Sequence, residues 1–317
     1  MNTLLVGYKS RDLFERGRHG KTRTAPWAAE EGVTCHTLDI YDRHAIEKTH
    51  HIRTLCSAHL PEGPWDAIRF HAGPKVMSGE TALDLLQEVR GLLGGQMKPP
   101  RFILDFEGRE RDRVSLMEKA AGRDARPRDF SAAWKASVPG GPEIELVSFP
   151  GCFCHRRVDE GGLALAEVVS RELAAGGPAG ARLLDMGCGA GTVGLLVASA
   201  NPGISLVMVD SHSRATEAAA LNAKRLGTAA ETILSDCGTP ARMDGTFDVF
   251  AGNPPYYSDY RIADVFLETA RRALKPGGLC YTVCKNAAGL KPVQERHFGR
   301  TEVVPRRGYS VLKSVKE

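Results

Sequence analysis

Between Ala181 and Cys284, short apolar runs alternate with longer helical stretches, and this alternation restricts the possible folds more than any other feature of the chain. Ala181–Met186, Ile204–Val209, Glu231–Leu234, Phe247–Ala251 and Gly278–Cys284 read as strands, and Thr192–Ala200, Ser211–Leu226 and Ile262–Leu274 as helices between them. Such an order specifies a parallel sheet covered on both faces. Glu302–Val304 and Tyr309–Val315, separated by Pro305 and Gly308, suggest an antiparallel hairpin at the edge of that sheet. The first half follows a fainter version of the plan. Thr3–Tyr8, Cys35–Ile40, Asp66–His71 and Arg101–Asp105 are strand-like there, with helices over Thr81–Leu93 and Asp112–Ala121. None of these strands runs into a glycine fingerprint; the first is followed by Gly7-Tyr8-Lys9-Ser10. Gly122–Gly141, rich in Arg, Asp, Pro and Gly, reads as a linker, with a domain boundary near residue 140. The expected fold class is therefore α/β: a Rossmann-like domain over 141–317, preceded by a related but degenerate α/β domain over 1–140.

Composition narrows the class further. A chain of 317 residues with 42% hydrophobic and 25% charged residues can bury two cores without disulfides or metals, which excludes disorder and small stapled scaffolds. No stretch approaches the ~18 apolar residues of a membrane helix. The N-terminus carries no basic leader or small-residue cleavage site, so a cytoplasmic location is expected. Eight cysteines fit reduced, mostly buried thiols. Cys152, Cys154 and His155 form a C-x-C-H cluster, but a structural zinc site needs a second ligand pair, and no metal is expected. The net charge of +4 is too small to indicate a nucleic-acid binder. The tail from Lys285 to Glu317, however, holds eight basic groups against three acidic ones, a cluster able to follow a phosphate backbone.

Asp185-Met186-Gly187-Cys188-Gly189-Ala190-Gly191 lies between a strand and a helix. Glycines at alternate positions allow a sharp turn and close approach of backbone amides and a helix N-terminus to a ligand. Asp210, nineteen residues after Gly191 at the end of the next strand, is placed to accept from both hydroxyls of a ribose. A dinucleotide site prefers G-x-G-x-x-G, and Asp185 would repel a pyrophosphate. An acid is tolerable beside S-adenosylmethionine, which carries an ammonium and a sulfonium. Ser235-Asp236-Cys237, after the third strand, falls where an adenine ring would lie, with Asp236 accepting from its amine.

Asn253-Pro254-Pro255-Tyr256 follows the fourth strand and is the most specific motif in the chain. Consecutive prolines fix their own φ and hold the residue before each extended. The Asn253 side chain and the Pro254 carbonyl are then stiffened as two acceptors for one planar NH2 group. Such a pair aims the nitrogen lone pair at a methyl donor and stabilises the charge that develops on it. Tyr256 offers a face for stacking. The two motifs together indicate methylation of an amino group.

At these residues the sequence resembles the class I S-adenosylmethionine-dependent methyltransferases of the NPPY/NPPF amino-methylating group, and within it the two-domain bacterial ribosomal RNA guanine-N2 methyltransferases. Phe149-Pro150-Gly151-Cys152-Phe153, followed by Asp159 and Gly161, is similar to the family's PG-x-F…D-x-G segment over the cofactor. Ser131-Ala132-Ala133-Trp134-Lys135 leading to Glu143–Val147 is similar to its interdomain connection. The resemblance implies S-adenosylmethionine held by Asp185, Gly187, Cys188, Gly189, Gly191, Asp210, Ser211, Asp236, Cys237, Phe153 and Asn253. It implies catalysis by Asn253, Pro254 and Tyr256, and RNA contacts from Tyr256, Tyr257, Arg156, Arg157, Arg306 and Arg307. Ribosomal RNA is the expected partner, a monomer the expected state, and folding support or RNA positioning the expected role of the first domain. The family's tetrapeptide is usually NPPF followed by His, where this chain has Tyr256-Tyr257. NPPY also serves enzymes acting on adenine N6 and on a protein glutamine amide, so these and a small-molecule amine stay open as substrates. A non-catalytic RNA-binding module is a further alternative.

Overall fold

A computed structural model of the chain describes residues 1–16, 22–94, 98–121, 128–255 and 260–317. They divide into two compact units, Met1–Ser131 and Ala132–Glu317. Unit one runs β1 (Thr3–Val6), β2 (Phe14–Arg16), β3 (Thr22–Thr24), β4 (Val33–Thr37), α1 (Ile40–His50), β5 (Arg53–Cys56), β6 (Ala67–Ala72), α2 (Gly79–Gly94), β7 (Arg101–Phe106) and α3 (Glu110–Ala120). Five of these strands form a parallel sheet in the order β5-β4-β1-β6-β7. The strand expected over Cys35–Ile40 stops at Thr37 because Asp39 caps α1, its carboxylate accepting from the Tyr41 N–H at 2.8 Å. Helix α1 itself escaped the sequence reading. It buries only Ile46 and His50, so it shows almost no apolar period.

Unit two begins earlier than residue 140. β8 (Ala132–Ala136) pairs antiparallel with β9 (Ile144–Ser148), and Ala136, Val138, Ile144 and Leu146 join the core of the second unit. That burial moves the boundary to 131/132. The rest of the unit is α4 (Glu160–Ala174), β10 (Arg182–Met186), α5 (Thr192–Ala200), β11 (Ser205–Asp210), α6 (Ser213–Arg225), β12 (Ala230–Leu234), β13 (Phe247–Gly252), α7 (Arg261–Ala273), β14 (Leu274–Cys284), α8 (Ala287–Phe298), β15 (Glu302–Arg306) and β16 (Tyr309–Val315). Seven strands form the sheet β12-β11-β10-β13-β14-β16-β15, in which β16 runs antiparallel to both of its neighbours. The edge hairpin expected from the sequence is present.

Alternate residues of the central strands feed opposite cores, as a pleat requires. Leu183, Leu206, Met208 and Val249 pack with α4, α5 and α6, whereas Leu184, Val207, Val209 and Phe250 pack with α7 and α8. At roughly 1.5–3 kcal/mol per large apolar side chain buried, these doubly covered strands contribute much of the packing energy of the unit. Among the described residues no helix is long and apolar enough to cross a membrane.

The strand order determines where a ligand can sit. From β10 the chain winds outward to β11 and β12, then returns across the sheet to β13 and β14. The crevice between β10 and β13, at their carboxyl ends, is the topological switch point where open α/β sheets bind ligands. Met186 pairs with Gly252 across these strands, so Gly187 and Asn253 leave the sheet side by side. Unit one repeats the same winding, with β1 and β6 flanking its switch point. There Tyr8 follows β1 and is 3% exposed. Its ring centroid lies 5.5 Å from Trp27 and 5.0 Å from His71, and its hydroxyl donates to Asp105. The Arg69 guanidinium sits 4.0 Å over the Trp27 ring and also binds Asp105. Side chains thus occupy the position that a glycine turn occupies in unit two.

Candidate active site

The glycine turn is shaped by backbone bonds to β11. Gly187 and Cys188 donate their N–H groups to the Val209 carbonyl at 2.8 and 3.1 Å, and Gly191 N–H closes the turn on the Cys188 carbonyl at 2.8 Å. Gly187, Gly189 and Gly191 all have positive φ, at 69°, 54° and 87°. A Cβ at Gly187 would lie 2.7 Å from the Phe266 ring, and one at Gly191 would lie 2.7 Å from Leu195. At Gly189 it would meet nothing within 4 Å. The two outer glycines therefore serve packing, and the middle one faces open space.

Three carboxylates surround this turn. Asp210 ties β11 to it: Oδ2 accepts from Gly189 N–H at 2.8 Å and Oδ1 from His212 N–H at 2.9 Å. Burial, with Arg214 adding to it, holds the His212 imidazole neutral by lowering its pKa to about 4. Asp185 is 1% exposed and accepts from Gly194 N–H at 2.8 Å, at the first turn of α5. Its carboxyl is pushed up to about 7, chiefly by burial and further by the nearby Asp210 and Asp159 carboxylates. Gly194 permits this approach, since a Cβ there would stand 3.1 Å from Asp185 Oδ2. The Cys188 thiol is pushed well above its ordinary range by burial and by Asp210 and Asp185.

Asn253, half-buried beyond β13, donates from Nδ2 to Asp159 Oδ2 at 2.8 Å. Pro254 is buried. Tyr256 and Tyr257 lie outside the described residues. Ser235 N–H donates to the Asp210 carbonyl at 2.9 Å, which brings the Ser235–Cys237 turn to the same edge, with Asp236 half-buried and Cys237 exposed. Ser211 follows Asp210 directly and is half-buried. The segment carrying Phe153 is anchored at both ends. Cys152 packs against Ala190, Ala215 and Ala218, and Asp159 reaches Asn253, while Phe153 itself is 68% exposed. In the C-x-C-H cluster, His155 Nδ1 lies 2.7 Å from Ser148 Oγ.

The basic residues divide. Arg156 and Arg157 are exposed in this segment, Arg156 with φ 70°. Arg306 and Arg307 instead hold the β15–β16 turn onto α4. Arg306 binds Glu167, and Arg307 binds Glu167 at 3.2 Å and Glu160 at 2.9 Å. Both guanidinium groups are thus engaged within the unit while part of each side chain stays exposed. The sequence reading also missed Asn222. Its Oδ1 accepts from Val147 N–H at 2.9 Å, and its Nδ2 donates to the Val147 and Ala190 carbonyls at 2.8 and 2.9 Å. This amide fastens the glycine turn to β9. A signal existed, because Asn222 interrupts the apolar stripe of Ala215, Ala218, Ala219 and Ala223 on α6.

A sequence model of the methyltransferase small domain matches residues 143–313, more than half of the chain. The chain belongs to the methyltransferase small domain family. Curated relatives carry the name ribosomal RNA small subunit methyltransferase C. That of Pseudomonas syringae pv. syringae is 32% identical over 174 residues, covering 54% of this chain and 50% of the relative. The chain thus spans about half the length of that relative. The protein of the same name from Pseudomonas paraeruginosa is 28% identical over 276 residues, 78% of each chain. Among solved structures, the 16S rRNA N2 guanosine methyltransferase of T. thermophilus, in complex with AdoMet and guanosine, superposes with a TM-score of 0.75 at 18% identity, covering all of this chain and 88% of that one. That likeness is one of fold. The family domain lies within unit two, where the glycine turn and Asn253 meet.

Proposed function

We propose that this methyltransferase domain transfers the methyl group of S-adenosylmethionine to the exocyclic N2 amine of a guanine in ribosomal RNA. The observation that carries the reading is the pairing at the switch point: the glycine turn and Asn253 leave adjacent strands at Met186 and Gly252, respectively. A donor seated on the turn and an amine seated on Asn253 would then meet. The names of the relatives support ribosomal RNA as the class of substrate.

The residues present suit a cationic donor. The open face at Gly189 admits a ligand close to the backbone, and Asp185 and Asp210 make the surroundings anionic. When bound, S-adenosylmethionine supplies an electrophilic methyl on a sulfonium, and its positive charge would favour the ionised form of Asp185. Asp210 is oriented by Gly189 and His212, and a carboxylate oxygen accepts two bonds, so it can also accept the ribose hydroxyls. Asp236 is assigned to the adenine amine, and Phe153 to the cover over the cofactor. Asn253 Oδ1 and the Pro254 carbonyl accept the two N–H groups of the target amine. The amine nitrogen is thereby pyramidalised towards the methyl, and the positive charge appearing on it is stabilised. The surplus proton leaves to water once transfer is complete. A base inside folded RNA must leave its stack to arrive here, and Tyr256 is assigned to receive it. Arg156 and Arg157 are assigned to flanking phosphates.

Asp210→Ala is expected to weaken S-adenosylmethionine binding by ~1–3 kcal/mol, the scale of losing a charged acceptor. Isothermal titration calorimetry measures this directly, and an unchanged affinity would move the donor away from the glycine turn.

A further inference from the structure

We propose that Asp159 is a positioning residue for methyl transfer, which sets the orientation of the Asn253 carboxamide; this rests on the amino-methylation reading of the site. Asp159 stands at the N-cap of α4, where Oδ1 accepts from Gly161 N–H at 3.1 Å. Capping needs one acceptor oxygen, and Ser, Thr or Asn would provide it equally well. The second oxygen, Oδ2, accepts from Asn253 Nδ2 at 2.8 Å, ninety-four residues along the chain. Only a carboxylate presents an acceptor in both directions; an asparagine capping Gly161 would turn its own NH2 group towards that of Asn253.

The neighbourhood leaves space for this contact. A Cβ at Gly162 would lie 2.5 Å from Asp159 Oδ2, and one at Gly161 would lie 3.4 Å from Asn253 Nδ2 and 3.1 Å from the Tyr309 ring. Two successive glycines in the first turn of a helix are costly for helix formation. Here they let the carboxylate and the carboxamide meet. The ion pair of Arg307 with Glu160 binds the first turn of α4 to the β15–β16 hairpin, and the pairs of Arg306 and Arg307 with Glu167 bind it again two turns further on, which holds the helix start that carries Asp159.

The chemical consequence follows from the geometry of an amide. With Nδ2 donating to Asp159, Oδ1 is directed away from Asp159, and a carboxamide flip would set two acceptors against each other. A negatively charged partner on the nitrogen also polarises the amide and strengthens its oxygen as an acceptor. Asp159 therefore acts on the reaction through Asn253, without touching substrate or donor.

The test combines Asp159→Asn, which preserves a good N-cap, with two readouts. In single-turnover transfer from tritiated-methyl S-adenosylmethionine to ribosomal RNA of a strain lacking the gene, the rate should fall about 100-fold. Donor affinity, RNA KM and melting temperature should stay close to wild type. In an Asn253→Ala background the same substitution should change the residual rate less than about twofold, since its route of action is already removed. Independently of activity, the side-chain amide protons of Asn253, assigned by their loss in Asn253→Ala, should show slow exchange by NMR and lose that protection in Asp159→Asn. A wild-type rate in Asp159→Asn, an equal loss in both backgrounds, or unprotected Asn253 protons in the wild type would overturn the proposal. Absence of transfer to RNA by the wild type would refute the functional reading instead, and the NMR readout would still decide the role of Asp159.

Discussion

Replacing Asn253 with alanine is expected to slow methyl transfer by about a thousandfold or more while leaving donor affinity within about threefold. Asn253 stands past the end of β13, beside the glycine turn, and alanine there leaves in place the turn and Asp210, to which most of the donor's contacts are assigned. In the proposed mechanism alanine removes one of two acceptors on the reacting amine. Loss of a single preorganised hydrogen-bonding group at a site of developing charge costs roughly 10²–10³ in rate. Here the same loss also releases the amine from the geometry that aims its lone pair. Single-turnover transfer and calorimetry on the same preparation separate the two effects. A rate within about tenfold of wild type would remove Asn253 from the chemistry.

A second large effect is expected at Asp185, and its sign follows from linkage. The carboxyl has an ordinary value of 3.8 in the unfolded chain and is pushed up to about 7 in the folded protein, first of all by burial. Between those values the native state holds a proton that the unfolded state has released, so stability falls as pH rises. The favourable contribution is complete below pH 3.8 and lost once pH passes about 7. A move of that size corresponds to about 4 kcal/mol at neutral to alkaline pH. Asp185→Asn keeps an acceptor for Gly194 N–H and does not titrate. The variant should therefore gain stability over wild type progressively from about pH 4 to pH 7, and hold the gain above it. It should also bind the cationic donor more weakly at pH 8, because the buried negative charge is gone. Urea unfolding of the unliganded protein at a series of pH values checks the first point, and a difference that does not vary with pH would contradict it.

How much of this was legible in the sequence depended on where each residue's partner lies. The central strands of unit two announced themselves because both of their faces are buried, which gives short apolar runs, and the glycine and Asn-Pro-Pro motifs act locally on their own backbone. Their meeting at one crevice follows from the winding order and could be anticipated. Helix α4 could not, since Gly161 and Gly162 weaken its start and the ten residues from Gly161 to Ser170 are all buried, with little contrast between faces. Contacts of long range were also hidden. Asp159 and Asn253 are ninety-four residues apart, and Asn222 reaches Val147 across seventy-five. Arg306 and Arg307 looked like phosphate ligands in a basic tail, but Glu160 and Glu167, about 140 residues earlier, pair with them across the hairpin. Counting charge along a chain cannot reveal such pairing. In unit one the strand order repeats that of the first five strands of the unit-two sheet, yet Tyr8, Trp27, Arg69 and Asp105 fill its switch point.

The measurement closest to the central claim is the identity of the methylated product. Purified protein is incubated with methyl-labelled S-adenosylmethionine and ribosomal RNA or ribosomal subunits from a strain lacking the gene, and the labelled RNA is digested to nucleosides. The account predicts label in N2-methylguanosine, appearing about a thousandfold more slowly with Asn253→Ala. Label in N6-methyladenosine, or in protein glutamine when whole extract is supplied, would keep the methyl transfer and contradict the assignment to guanine.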